Sequence, residues 1–139
     1  MKDMISETVI TVPFYDLDPM NIVWHGNYVK YIEQARCDFF KMINYTYEDM
    51  YKDGLMYPIA KMDFKFIKSA EFYQQLKVRC ILKEVEPAII FRYEILDLKT
   101  EEKFCVANTM QIGVNIKTKE TLITISDKFR KRLEEVKND

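Results

Sequence analysis

The feature that most constrains this chain is a change in the spacing of its apolar residues. From about Asn27 to Ile43 they recur at the spacing of an α-helix, opposite a more polar face. After Pro58 they recur at every second residue in four segments, the last running from Phe104 to Ile116, which is typical of long half-buried antiparallel strands. A single apolar helix beside such strands is buried only if the sheet curls around it, so the sequence predicts an α+β fold.

The remaining elements are shorter. Val9 to Phe14 alternates well enough for a first strand, and a loop follows from Tyr15 to His25. Asn27 is the predicted N-cap of the long helix, because asparagine is a favoured residue at that position. A short helix from Thr46 to Asp53 and a terminal helix from Ser126 to Val136 are predicted, with their first residues as N-caps.

Length and composition indicate one folded unit. The chain has 139 residues, 48% of them hydrophobic, and it contains no linker, repeat or low-complexity tract. We therefore expect a single domain spanning residues 1–139. The net charge of −1 gives no reason to expect a nucleic-acid or membrane partner held by charge.

Cysteine usage and the chain start indicate the compartment. The three cysteines are odd in number and widely spaced, which is typical of reduced packing residues in a cytosolic protein. The start has no apolar segment of signal-peptide length, and no later apolar run approaches membrane-spanning length. We expect a cytoplasmic protein without stable membrane insertion.

The loop before the long helix is the candidate site. It carries Asp18 on a segment broken by Pro19 and Asn21, close to His25, the only histidine of the chain. A helix N-terminus offers unpaired backbone N–H groups and partial positive charge, which also favours an ionised carboxylate nearby. A carboxylate beside such a helix end could hydrolyse an activated acyl group without a serine or cysteine nucleophile.

Other chemistries lack the residues that they need. Cys37 lies twelve positions after His25, about 18 Å along a helix, so the two cannot exchange a proton. The sequence has no G-x-S-x-G turn, no phosphate-binding glycine loop and no ligand spacing for zinc. The Asp16-x-Asp18 pair resembles the opening motif of magnesium-dependent aspartyl-phosphate phosphatases, but those enzymes need a parallel sheet, whereas this sequence predicts an antiparallel one.

One flank of the long helix carries aromatic and charged residues beside the core stripe: Val29, Glu33, Arg36 and Phe40. This mixture suggests partial cover by a second subunit. Glu33 and Arg36 are spaced to form an ion pair, and we expect that pair to be structural, at the subunit interface.

A longer motif links the loop to the helix. Residues 16–28 read D-L-D-P-M-N-I-V-W-H-G-N-Y, and they are followed by Tyr31, Glu33, Ala35 and Arg36. This pattern resembles the 4-hydroxybenzoyl-CoA thioesterase family, most closely its small bacterial acyl-CoA thioesterases, and the element order agrees from about Thr8 to Ile125. Family members often have glycine where Asn21 stands, and asparagine tolerates the left-handed conformation that such a turn requires.

The resemblance implies a hot-dog fold, in which the antiparallel sheet wraps the long helix, and assembly into homodimers or homotetramers. It implies that Asp18 is the catalytic carboxylate, as nucleophile or general base. A backbone N–H of His25 or Gly26 would polarise the thioester carbonyl at a site on the dimer interface. Neither a metal nor another cofactor is expected.

Each candidate also has a plainer interpretation. Asp18 could be only a turn residue, and we expect Asp16 to orient the loop rather than to react. The His25 ring could simply pack, while its amide serves the reaction. Asn27 could orient water or the thioester, although capping is the simpler role.

Aromatic residues near the helix start could line an acyl pocket or belong to the core; they include Tyr28 and Trp24, which we assign to substrate binding. Four cations could bind the CoA phosphates or lie on a solvated strand face: Lys65, Lys68, Arg79 and Arg92.

The sequence as a whole predicts an acyl-CoA thioesterase that releases a free carboxylic acid and CoA. Two alternatives stay open: a catalytically silent acyl-thioester-binding or interaction module, and a thioesterase acting on acyl carrier protein.

Overall fold

A computed structural model describes residues 4–137 of the chain. The elements in order are strand β1 (Met4–Thr11), a 3-10 turn (Phe14–Asp16), helix α1 (Asn27–Met42), helix α2 (Tyr47–Lys52), strands β2 (Leu55–Met56), β3 (Ile59–Phe66), β4 (Gln75–Glu84), β5 (Ile89–Asp97), β6 (Lys103–Gln111) and β7 (Val114–Asn115), and helix α3 (Asp127–Lys137).

The long strands form one antiparallel sheet in the order β1-β4-β5-β6-β3, and β2 pairs with β7 in a separate two-stranded ribbon. The apolar stripe of α1, with Ile32, Ala35 and Phe39 fully buried, joins one core with the inner residues of the sheet. Alternate residues of β5, such as Phe91 and Tyr93, face this core, as a period of two requires. The predicted α+β architecture is confirmed.

Two strand predictions were wrong in their bounds. The first strand ends at Thr11 instead of Phe14, because Pro13 leads into the 3-10 turn, where the Phe14 side chain is exposed. The last predicted strand, from Phe104 to Ile116, is divided into two strands: β6 ends at Gln111, and β7 leaves the main sheet to pair with β2. Between them, Gly113 lies so close to the Tyr57 ring that a β-carbon would contact it at 2.7 Å.

Two helix caps are confirmed. The Thr46 hydroxyl accepts a hydrogen bond from the Asp49 amide, and the Asp49 carboxylate accepts one from the Thr46 amide, which together form a capping box. The Ser126 hydroxyl accepts a hydrogen bond from the Phe129 amide at 3.1 Å. Helix α3 places the fully buried Phe129 ring against Phe40 and Tyr45.

The second flank of α1 is largely covered by the chain itself. Arg36 and Phe40 are 2% and 1% exposed. The Arg36 guanidinium pairs with Glu33 and donates hydrogen bonds to the hydroxyls of Tyr47 and Tyr93. The ion pair is therefore structural as predicted, but it lies inside one subunit. The inference that these two residues need cover from a second subunit was wrong.

The cysteines are free thiols, and two of them, Cys80 and Cys105, are buried. Burial raises the pKa of the Cys105 thiol to about 12 and that of Cys80 further still. Both thiols are thus neutral packing groups at neutral pH. None of the helices within residues 4–137 is long and apolar enough to cross a lipid bilayer.

Candidate active site

The loop that leads into α1 is held by a tight turn. The Asn21 amide donates to the Asp18 carbonyl at 2.9 Å, and the Asp18 amide donates to the Ile22 carbonyl at 2.8 Å. Asn21 has a φ of 63°, in the left-handed region where asparagine is one of the few favourable non-glycine residues. The turn is formed as the sequence predicts, with asparagine in place of glycine.

Asp18 lies at the edge of an open cavity of about 490 Å³ and is itself half-buried. One carboxylate oxygen, Oδ1, accepts a hydrogen bond from the Met20 amide at 2.8 Å. No residue in the described part of the chain donates a hydrogen bond to the other oxygen, Oδ2. The side chain is thus fixed through one oxygen, while the other has no partner among residues 4–137.

The beginning of α1 differs from the predicted capping arrangement. Gly26 is the N-cap residue, and Asn27 is the first helical residue. Asn27 does not cap the helix, because it lies inside the first turn and no side-chain oxygen of the described residues accepts a capping hydrogen bond there; its amide nitrogen donates to the Asp16 carbonyl at 2.8 Å. The capping role assigned to Asn27 was therefore wrong.

Two backbone donors at this helix start lack a protein acceptor. The Asn27 and Tyr28 amides donate to the carbonyls of Trp24 and His25 at 2.8 and 3.2 Å. Within residues 4–137, no carbonyl or side chain accepts a hydrogen bond from the amides of His25 and Gly26. Free donors at the positive end of a helix are suited to an anionic group.

The cavity is lined by two separate parts of the chain. The loop and helix start contribute Asp18, Met20, Ile22, Val23, His25 and Tyr28, and the end of β3 with the following residues contributes Phe66, Ile67, Lys68 and Ser69. The His25 ring lies edge-on to Phe66, with 5.9 Å between the ring centroids. The walls are therefore mostly apolar and aromatic around one carboxylate.

Tyr28 forms a buried wall of the cavity. Its hydroxyl oxygen accepts a hydrogen bond from the Ala70 amide at 3.1 Å, and the Ala70 carbonyl accepts one from the Val23 amide. Burial raises the pKa of Tyr28, although the bond from Ala70 partly opposes this. The phenol stays neutral at physiological pH and ties the segment after β3 to the helix start.

Three residues predicted for the site do not line the cavity: Trp24, Gly26 and Asn27. The Trp24 indole is half-exposed and lies over Gly26 so closely that a β-carbon there would overlap the ring. Trp24 therefore packs on the segment that carries the free amides.

The sequence did not identify the wall from Phe66 to Ser69 as part of the site, apart from Lys68 as a candidate cation. One signal was available: Phe66 and Ile67 are consecutive apolar residues where the alternation of β3 ends, and both are half-exposed. Of the four candidate cations, Lys68 lines the cavity, with its ammonium 2.8 Å from Glu102. Arg79 pairs with carboxylates on the sheet, including Glu7 and Glu101.

Known proteins with similar sequences include esterases and thioesterases. Residues 12–133 match the Thioesterase-like superfamily. A putative esterase of Aquifex aeolicus is 29% identical over 122 residues, which cover 84% of this chain and 94% of that protein. A putative acyl-CoA thioesterase of Bacillus subtilis is 29% identical over 68 residues, which are 49% of each protein, so the match spans about half of that relative's length.

The fold agrees with solved structures. A DHNA-CoA thioesterase from Staphylococcus aureus superposes with a TM-score of 0.84 at 23% identity, over 96% of this chain and 91% of that one. The predicted hot-dog fold is thereby confirmed. Since the family match extends over most of the sequence, the chain belongs to the Thioesterase-like superfamily, and the prediction of a thioester hydrolase is confirmed at the level of that family.

Proposed function

We propose that this chain is an acyl-CoA thioesterase, working as a single cytoplasmic hot-dog domain over residues 1–139 without a metal or cofactor. Within the superfamily, its motif favours the 4-hydroxybenzoyl-CoA thioesterase family. The observation that carries the proposal is a carboxylate, Asp18, that lines an apolar cavity beside a helix start with two unpaired amides.

The carboxylate supplies the reactive group. A thioester is already activated, and its thiolate leaves without needing a general acid. Asp18 either attacks the thioester carbon, or removes a proton from a water molecule that attacks it. In the first route the C–S bond breaks as a mixed anhydride forms between Asp18 and the acyl group. Water then attacks the aspartyl carbon, so that the released acid carries an oxygen from Asp18 and the carboxylate keeps the oxygen of water. In the second route the C–S bond breaks after water has attacked the thioester carbon, and water supplies the oxygen of the acid directly. In both routes CoA leaves as the thiolate.

The unpaired amides supply electrostatic stabilisation of the tetrahedral intermediate. Negative charge develops on the carbonyl oxygen as the tetrahedral intermediate forms, and the N–H groups of His25 and Gly26 are available to bind it. One such donor typically lowers the barrier by about 2.7–4 kcal/mol. In this assignment the His25 ring packs against Phe66, and only its backbone enters the reaction.

The remaining residues would bind the substrate. Tyr28 and Phe66 form the wall for the acyl group, while Trp24 shields the donor segment. Asn27 contributes indirectly, because its side chain is engaged with Asp16. Lys68 is the cavity cation best placed to attract the CoA phosphates.

We propose that the active form is a homodimer or homotetramer. Strand β3 is an edge of the sheet, and it leaves Ile59 at one end and Phe66, which lines the cavity, at the other end exposed by 36% and 51%. An unpaired edge with exposed apolar side chains favours pairing with another strand. A second copy on this edge would close the open cavity; a monomer in sedimentation experiments at assay concentration would contradict this.

The test is hydrolysis of a panel of acyl-CoAs by the wild type, Asp18→Asn and the control Asp127→Asn. Asp127 is an exposed aspartate at the beginning of α3. Asp18→Asn should lower kcat about 10²–10⁴-fold without loss of folding, and Asp127→Asn should leave it unchanged. An unchanged kcat in Asp18→Asn would remove Asp18 from the mechanism.

The same panel separates the alternatives. Wild-type protein that binds acyl-CoA without turnover would be a silent binding module, and turnover of acyl carrier protein thioesters alone would identify the other hydrolase. Single turnover in isotope-labelled water distinguishes the two roles of Asp18. A nucleophile acquires the label in its own carboxylate, whereas a general base does not.

A further inference from the structure

Asp16 is a buried residue whose two carboxylate oxygens are both bound by residues of α1. Its side chain is 3% exposed. The Tyr31 hydroxyl donates to one carboxylate oxygen at 2.6 Å, and the Lys30 ammonium contacts the other at 2.5 Å. Burial and the bond to Asp16 raise the pKa of Tyr31, so the phenol remains a donor across the physiological range.

The backbone of the same residue makes a second set of contacts. The Asp16 carbonyl accepts hydrogen bonds from the Trp24 amide at 2.9 Å and from the Asn27 side chain at 2.8 Å. Trp24 and Asn27 flank His25 and Gly26, the two residues whose amides lack an acceptor. Asp16 therefore fixes both ends of the donor segment.

The reactive carboxylate is attached to the same anchor. Asp18 follows Asp16 by two residues in the sequence. Leu17, which lies between the two aspartates, forms a β-bridge with Val23 and so joins the two sides of the loop. We propose that Asp16 is a positioning residue, which holds Asp18 and the amides of His25 and Gly26 at a fixed separation. This inference rests on the proposed function of Asp18, and it assigns no chemical step to Asp16.

Asp38, a carboxylate on α1 with a structural role only, provides the comparison. Asp38 also ties α1 to another element, because the Thr8 hydroxyl of β1 donates to it at 2.6 Å. Its other oxygen accepts a bond from Gln34. Among the described residues, neither of its hydrogen-bond partners lines the cavity. Replacing either aspartate removes an anchor of α1, but only Asp16 links that anchor to the site.

The experiment measures kcat, KM and thermal stability for Asp16→Ala, Asp16→Asn, Tyr31→Phe and the control Asp38→Ala. A displacement of about 1 Å can lower kcat roughly 10²-fold; we expect that loss in Asp16→Ala, and about tenfold in the milder Asp16→Asn and Tyr31→Phe. KM should stay within about twofold, since the groups that bind CoA are untouched. Asp38→Ala should lose thermal stability and retain kcat.

Combination with Tyr31→Phe tests whether the contacts act as a unit. The double variant Asp16→Ala/Tyr31→Phe should be no slower than Asp16→Ala, because the tyrosine has already lost its acceptor. Multiplying losses would overturn the proposal. So would a kcat in the milder variants, Asp16→Asn and Tyr31→Phe, that stays within about twofold of the Asp38→Ala value.

Amide hydrogen exchange over residues 17–26 makes the test independent of turnover. Faster exchange in Asp16→Ala than in Asp38→Ala supports the anchoring, and equal rates overturn it. If the wild type hydrolyses no acyl-CoA, the proposed function fails, while the exchange comparison still decides whether Asp16 orders this loop.

Discussion

The start and the middle of α1 both carry polar groups beside the core, but their hydrogen bonding differs. At the start, the amides of His25 and Gly26 have no protein acceptor within residues 4–137. In the middle, the buried Arg36 guanidinium is bound by Glu33 and by two tyrosine hydroxyls. Burial works against its charge, but the bond to Glu33 and the interactions with Tyr93 and Tyr47 together outweigh that effect and raise the pKa of Arg36.

This difference separates groups that stabilise the fold from groups that are free to act. A buried polar group is costly unless it is paired, so the network around Arg36 is expected to fix how the helix sits on the sheet. Unpaired amides next to a cavity remain available to donate to a substrate oxygen. Changes at the start should therefore affect kinetics, and changes in the middle should affect stability.

Among the variants that compare these two regions, Gly26→Ala has the largest expected effect. Its φ of −63° accepts any residue, but the new β-carbon would overlap the Trp24 ring and displace the donor segment. We expect kcat/KM to fall about 10²-fold, with only a small change in the free energy of unfolding because Trp24 is half-exposed. Steady-state kinetics and urea unfolding measure the two quantities.

Two further variants show whether the overlap is the cause. Gly26→Ala/Trp24→Ala removes the ring and should regain part of the lost activity. Gly54→Ala is the control: it has a φ of 81° and no heavy atom near a β-carbon. It should cost about 1 kcal/mol of stability through backbone strain and leave kcat/KM unchanged. No recovery in the double variant would argue against steric displacement.

The opposite pattern is expected for Glu33→Gln. The substitution leaves the Arg36 cation buried without its carboxylate, and hydrogen bonds between charged groups contribute about 1.5–3 kcal/mol. Because the Glu33 side chain is 41% exposed, we expect a loss of about 2 kcal/mol in the free energy of unfolding. The kcat should not change. A fall in kcat with unchanged stability would erase the distinction between the two regions.

The architecture could be predicted from the sequence because periodicity depends on local spacing. The helical spacing around Ile32 and Phe39 and the alternation of the later strands each identify a buried face directly. The caps at Thr46 and Ser126 were also predictable, since each hydroxyl bonds an amide three residues away. Interactions within one turn leave a recognisable pattern.

Long-range partners were not predictable in this way. Asparagine is a favoured N-cap residue, yet the Asn27 side chain donates a hydrogen bond to the Asp16 carbonyl, eleven residues earlier. Arg36 was placed on a flank by helical spacing, but its partner Tyr93 lies 57 positions later. The cavity wall around Phe66 depends on the packing of β3 beside the helix start. Periodicity predicts which face is buried, not which distant residue meets it.

The smallest expected effect is that of Tyr93→Phe, and it depends on pH. The Tyr93 hydroxyl bonds Arg36 and Thr109, so its loss should cost about 1 kcal/mol near neutrality. Burial raises the pKa of Tyr93 above its ordinary value of 10.0, although Arg36 partly opposes this. A raised folded-state pKa means that the contribution is complete below pH 10 and declines as the pH rises from there.

Wild type and Tyr93→Phe should therefore differ most at neutral pH and converge in alkaline solution, as measured by urea unfolding at a series of pH values. Tyr73→Phe is the matched control, because that hydroxyl belongs to a side chain 72% exposed on the surface. Its stability should follow the wild type throughout. If the difference in free energy of unfolding between wild type and Tyr93→Phe stayed constant above pH 10, the buried network would not hold the phenol in its neutral form. The middle of α1 would then be more accessible to solvent than its hydrogen bonds indicate.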